Sequence, residues 1–191
     1  MPQIFVPKEI LEGETRVAVV PETVQRLVRD GFAVTVEKGA GIASMISDEA
    51  LEKAGATISD DASVSGVADI VLKLHPPTLE EAAQLREGGL LVSHLWPFAN
   101  KALCEKLMER RVTVFAMDQI PRTTKAQYMD ALSSQMNIAG YKAVILAAER
   151  LLKVVPLMMT AAGTINPAKV VVMGAGVAGL QAIGTAKRLG A

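Results

Sequence analysis

Short apolar runs alternate with amphipathic stretches through the first two-thirds of the chain. Ile4-Phe5-Val6, Ala33-Val34-Thr35-Val36, Thr57-Ile58, Asp69 to Leu74, Leu90 to His94 and Val112 to Ala116 have the length and composition of strands. Arg16 to Val20 is a further short apolar run. Between them the spacing becomes helical. Pro21-Glu22-Thr23 opens a helix with Val24, Leu27 and Val28 on one face and Gly31 as its stop, and Ser47-Asp48-Glu49 opens another that ends at Gly55. Thr78 to Arg86 is a third helix, and Asn100 is the expected cap of a fourth that runs to Arg110. Strands separated by helices predict an α/β fold: a parallel sheet with helices on both faces, joined by right-handed crossovers.

Beyond Ile120-Pro121 the texture changes. Arg122 to Lys125 is polar, and a long helical pattern follows from Gln127 or Asp130 to Leu152, closed by Pro156. Its small residues (Ala139, Gly140, Ala143, Ala147, Ala148) permit close helix packing. Met158 to Pro167 is expected to be a connector. Lys169-Val170-Val171-Val172-Met173 has the pattern of a buried parallel strand, and Leu180 to Leu189 that of a helix. The boundary is expected inside the long helix: residues 1–135 form an N-terminal α/β domain, and 136–191 a linking helix and the first strand and helix of a second, Rossmann-type domain.

Composition narrows the chemistry. Half of the 191 residues are hydrophobic and 21% are charged, an ordinary globular profile. Twenty basic residues balance twenty acidic ones, so no basic field favours nucleic acid or an anionic membrane surface. Aromatics at 4% are too scarce for a base-stacking surface. The lone Cys104 sits in a helical run, and His75 and His94 lack partners at zinc-site spacing, so no metal is expected. Val170 to Ala186 is uncharged, but its glycines and its length argue for a strand and helix rather than a membrane span.

Two segments carry candidate chemistry. Gly174-Ala175-Gly176-Val177-Ala178-Gly179, between the expected strand and helix, is a dinucleotide-binding fingerprint. In such a turn the first Gly makes the bend and the second admits a pyrophosphate. The third lets helix and strand pack closely, while the helix N-terminus offers N–H donors. Gly174, Gly176, Val177 and Gly179 are therefore the expected pyrophosphate contacts. The acidic residue that reads the ribose is expected about 20 residues further on, past Ala191. A second cluster, Gly39-Ala40-Gly41, lacks the third Gly and is expected to be a plain loop. The other segment, Pro121 to Gln135, follows a strand end, where ligand crevices of open α/β sheets lie. Its Arg, Gln, Asp and Ser side chains suit a carboxamide, a ribose or a phosphate, or simply a polar loop and helix cap.

That segment also carries a family resemblance. Arg122-x4-Gln127-x2-Asp130-x2-Ser133-Ser134-Gln135-x-Asn137-Ile138-Ala139-Gly140-Tyr141 resembles domain I of proton-translocating NAD(P) transhydrogenases, within the alanine dehydrogenase/transhydrogenase family. Pro7-Lys8-Glu9, Glu14 to Ala18, Pro21-Glu22, Glu37-x-Gly39-Ala40-Gly41, Thr160 to Thr164 and the fingerprint through Ala191 extend the resemblance over essentially the whole chain. Departures occur at Thr123-Thr124-Lys125, where the pattern usually reads Ile-Ser-Arg, and at Tyr128, where it has Ser. Lys125 keeps the charge without the planar fork.

The resemblance implies the NAD(H)-binding part of an alpha subunit, often dimeric, whose domain continues past Ala191. It docks against an NADP(H)-binding domain and a membrane domain, so that it is cytoplasmic and peripheral to the inner membrane through its partners. The intact complex passes hydride between the two nicotinamides and couples this to proton translocation. Arg122, Gln127 and Asp130 would serve at the reacting nicotinamide end, with Gln127 the foremost ring contact and Thr123, Lys125 and Ser133 completing the cofactor-binding loop. Alanine dehydrogenase is the alternative, with Arg16, Lys73 and His94 as its substrate residues; the Leu95-Trp96-Pro97 context of His94 and the Ser133 to Tyr141 run favour the transhydrogenase. A third possibility is an inactive fragment, or a non-catalytic module kept for subunit contact. An unfinished Rossmann sheet would expose an edge around Val170 to Met173.

Overall fold

The computed structural model describes all 191 residues. The chain folds as two compact units, Met1–Ile120 and Pro121–Ala191.

The first unit is a six-stranded sheet: β1 (Gln3–Val6), β2 (Ala33–Glu37), β3 (Thr57–Ser59), β4 (Ile70–Leu72), β5 (Leu90–Ser93) and β6 (Thr113–Ala116). Every pairing is parallel, in the order β3-β2-β1-β4-β5-β6. Parallel strands need long crossovers. These are supplied in part by α1 (Pro21–Arg29), α2 (Asp48–Lys53), α3 (Leu79–Gln84) and α4 (Lys101–Glu109). Alternate side chains leave each strand on opposite faces, and the core divides accordingly. Ile4, Val6, Val34 and Val36 pack with Val24 and Leu51 on one face; Phe5, Val71 and Leu91 pack with Leu103 and Leu107 on the other.

Local chemistry sets the helix starts. The Ser47 hydroxyl accepts from the Ala50 N–H at 3.2 Å, and Thr78 and Glu81 form a reciprocal capping box at the head of α3. Asn100 does not cap α4 as expected. Its Nδ2 donates to the Leu95 carbonyl at 2.8 Å, so the amide closes the preceding turn instead. The run Arg16 to Val20 forms no strand and delivers Val19, fully buried, into the core ahead of α1.

The second unit holds a long helix, α5 (Ala131–Arg150), a hairpin of β7 (Met158–Thr160) and β8 (Gly163–Ile165), and α6 (Val177–Arg188). Helix α5 belongs to it entirely, including the turn ahead of residue 135. The expected connector at 158–167 is thus a short antiparallel hairpin turning at Ala161-Ala162. The expected buried strand Lys169–Met173 does not form: the run is irregular, with Val171 87% and Met173 97% exposed. A parallel strand exists only as part of a ladder, and the two strands of this unit pair with each other. Helix α6 starts at Val177, earlier than the apolar spacing implied, because the fingerprint's last residues already form its first turn. No helix is long and apolar enough to cross a membrane.

Candidate functional site: a glycine turn facing the head of α5

The glycine turn is built by one close approach. Gly174 has φ 108°, in the left-handed region, and its carbonyl folds back over Gly179. A Cβ on Gly179 would stand 2.9 Å from the Gly174 carbonyl carbon and closer still to its oxygen, so only glycine fits. Gly176 is different. Its φ is an ordinary −76°, and a Cβ there would meet nothing within 4 Å. Nothing in the fold itself requires glycine at 176.

Gly176 is also the N-cap of α6 and has no side chain to satisfy the helix's first donors. The N–H groups of Val177, Ala178 and Gly179 have no intrahelical acceptor, and the first intrahelical bond runs from Leu180 to the Gly176 carbonyl at 2.9 Å. Three free donors and the positive end of a helix dipole therefore surround an open position at Gly176, an arrangement suited to a phosphate.

Opposite lies the head of α5. Asp130 caps it, accepting from the Ser133 N–H at 3.0 Å and from the Ser133 hydroxyl at 2.6 Å. The Ser133 hydroxyl, then its N–H, hold the Asp130 carboxyl below the usual carboxylate range; burial opposes them weakly, and the Arg122 charge adds to the lowering. Arg122 and Ser133 join Leu132, Met136, Met173, Gly174 and the stretch Gly176 to Gly179 around a cleft of about 360 Å³.

Of the residues expected at the cofactor, the structure gathers Arg122, Ser133, Gly174, Gly176, Val177 and Gly179 on this cleft. Asp130 stands one residue layer behind, acting through Ser133. Thr123, Lys125 and Gln127 are exposed on or beside the 3₁₀ stretch Thr124–Met129 and do not line it. Leu132, Met136 and Met173 were missed. Met136 was findable, since a residue three after Ser133 shares its helix face.

A separate, larger cleft of about 720 Å³ opens in the first unit, where the strand order reverses between β1 and β4. Lys73, His75, Trp96 and the strap Glu9 to Glu12 line it. Several charged groups in and beside it are engaged within the chain. Arg16 forms a two-point pair with Glu14 at 2.6 and 2.8 Å, and Glu14 also receives His75 Nε2 at 2.6 Å. Chiefly through the Arg16 side chain, the Glu14 carboxyl lies far below the carboxylate range although burial opposes this. Lys73, with its side chain 3% exposed, pairs with Glu81 at 2.6 Å. His94 Nδ1–H donates to the Leu74 carbonyl at 2.9 Å, and its ring stacks on Trp96 at 5.7 Å.

The sheet of the first unit, in the 3-2-1-4-5-6 order with helices on both faces, places the chain among doubly wound α/β proteins. Family models narrow this: the N-terminal domain of alanine dehydrogenase/PNT matches residues 5–139, and the C-terminal domain matches 143–191. The chain belongs to the alanine dehydrogenase/PNT family. It is 50% identical, over 99% of its length and 51% of the relative's, to an NAD(P) transhydrogenase subunit alpha chain of Rhodospirillum rubrum. The crystal structure of transhydrogenase from Sinorhizobium meliloti superposes with a TM-score of 0.95 at 47% identity, covering 99% of this chain and 57% of that one. Alanine dehydrogenase of Bacillus subtilis is 33% identical over 98% of the chain and 50% of the relative. The chain thus spans about half the length of these relatives.

Proposed function

We propose that the chain is the NAD(H)-binding part of a transhydrogenase alpha subunit. The observation that carries this reading is the open position at Gly176, ringed by three free α6 N–H groups and faced by Arg122 and Ser133. The turn suits the pyrophosphate of a dinucleotide, because the position that a Cβ could occupy without strain or clash is where that group would approach. When bound, the nicotinamide supplies the hydride chemistry. The protein needs neither nucleophile nor general base; its residues bind, orient and exclude water.

In this reading Val177, Ala178 and Gly179 donate to the phosphates, and Arg122 balances their charge from the rim. Ser133, fixed by Asp130, offers a hydroxyl toward the ribose or nicotinamide side. Thr123, Lys125 and Gln127 form the neighbouring polar loop, with Gln127 reaching the ring on cofactor binding. The NADP(H) domain, the membrane domain, a second copy of the subunit and the coupling to proton movement belong to the whole complex, which would hold this chain at the cytoplasmic face of the inner membrane.

The rival reading, pyruvate amination by an alanine dehydrogenase, needs cationic side chains free to take a carboxylate. Arg16 and Lys73 are each committed to a carboxylate of the chain itself. NADH oxidation with pyruvate and ammonia separates the two readings: turnover would defeat the transhydrogenase assignment. Titration calorimetry with NADH and with NADPH tests the binding claim and the third reading, a contact module without cofactor. Preference for NADH supports the proposal; binding of neither supports the module.

A further inference from the structure

Helix α5 has only two buried residues, Gly140 and Val144, one turn apart. They continue the stripe that begins at Ser133 and Met136 on the cleft. Gly140 is where α5 touches α6 backbone to backbone. A Cβ on it would stand 3.0 Å from the Ala178 Cα, 2.9 Å from its carbonyl carbon, and closer to the oxygen. These are main-chain atoms of the second residue of α6, so no rotamer change can relieve the overlap. Glycine is a poorer helix residue than alanine, and here the close approach offsets that cost.

The cleft lies on the N-terminal side of this contact, lined by Leu132, Ser133 and Met136 from α5 and by Gly176 to Gly179 at the head of α6. Ala178 lies between the donors Val177 and Gly179. We propose that Gly140 is a positioning residue for the cofactor, setting the span between the phosphate donors of α6 and the polar head of α5. The inference rests on the reading of this cleft as the NAD(H) site. Added bulk at 140 shifts the α6 N-terminus as a block. The donors keep their mutual geometry, and their distance to Ser133 and Arg122 changes.

The test compares two probes by calorimetry. Inorganic pyrophosphate takes its hydrogen bonds from the α6 N-terminus, with Arg122 on the rim acting only by longer-range charge balance, whereas reduced nicotinamide mononucleotide must also reach the head of α5. Gly140→Ala is expected to weaken the mononucleotide about tenfold or more while leaving pyrophosphate within about twofold. Gly184→Ala, whose Cβ would meet only the flexible end of Arg188 at 3.7 Å, is expected to change neither. If Gly140→Ala does not fold, Val144→Ala carries the test. It removes bulk beyond the contact and pivots α6 about it, so the ratio of the two affinities shifts in the same direction, by about threefold. An unchanged ratio, or parallel loss of both probes, overturns the inference while the site reading stands. Wild-type protein that binds neither probe overturns both.

Discussion

Glu14 and His75 lie 61 positions apart in the chain and 2.6 Å apart in the fold. The same carboxylate holds Arg16, and Glu9 accepts from the Leu74 N–H at 2.5 Å, so the strap after β1 is fastened to the end of β4 by acids alone. This fastening commits Glu14, Arg16 and His75 to one another beside the larger cleft, which His75 lines.

Glu14→Gln is expected to lower stability by about 1–3 kcal/mol at neutral pH, the worth of hydrogen bonds to a charged group. The folded Glu14 carboxyl is depressed, so its stabilisation is complete above the unfolded value of about 4.3 and is lost as pH falls toward the folded one. Urea unfolding of both proteins at several pH values checks this. The difference should persist at pH 7 and shrink steadily below about pH 4.

The two glycines of the turn should part company. Gly179→Ala forces the Gly174 carbonyl aside and is expected to destabilise by about 1–3 kcal/mol. Gly176→Ala meets no protein atom, so its stability should stay within about 0.5 kcal/mol of wild type. Cofactor affinity should fall in both. Thermal melts beside NADH titrations distinguish them, and a Gly176→Ala protein that binds NADH normally would remove the pyrophosphate from that position.

Asp130→Ala removes the α5 cap and frees the Ser133 hydroxyl. A lower melting temperature is expected, the usual consequence of losing an N-cap. A several-fold loss of NADH affinity should accompany it, of order tenfold at most, since Asp130 acts only through Ser133. Asp130→Asn should restore most of the stability, because an amide oxygen can still accept from the Ser133 N–H.

Lys73→Ala strands Glu81, which keeps its bond from the Thr78 N–H and some contact with water. Destabilisation of about 2 kcal/mol is expected, below the range for a fully buried pair. NADH affinity should be unchanged, as the residue lies outside the glycine cleft. A selective loss of pyruvate-dependent turnover in this variant would instead reveal a substrate role.

The sheet was legible because its strands are short, apolar and separated by helical stretches. Helix starts at Pro21, Ser47 and Thr78 followed from local chemistry that tertiary structure leaves alone. Lys169–Met173 was not legible, because a run of valines states a preference for pairing without stating whether a partner lies beside it. Asn100 was misread for a related reason: its amide had two local acceptor and donor choices, and Leu95 took it. At the cleft, the glycines followed from motif spacing and Ser133 from the family resemblance, but Lys125 and Gln127 sit on an exposed turn whose direction no spacing encodes. Leu132 and Met173 carry no polar signal and emerge only from the way the head of α5 faces the glycine turn, whereas Met136 follows from its helical spacing after Ser133.

Direct calorimetric titration of the chain with NADH, in parallel with Gly176→Ala, tests the central claim. The glycine turn and the α5 head predict wild-type binding tighter than about 1 mM, a free energy beyond about −4 kcal/mol, lost in the variant while its melting point is retained. Wild-type affinity no better than millimolar, or equal affinity in both proteins, would contradict it.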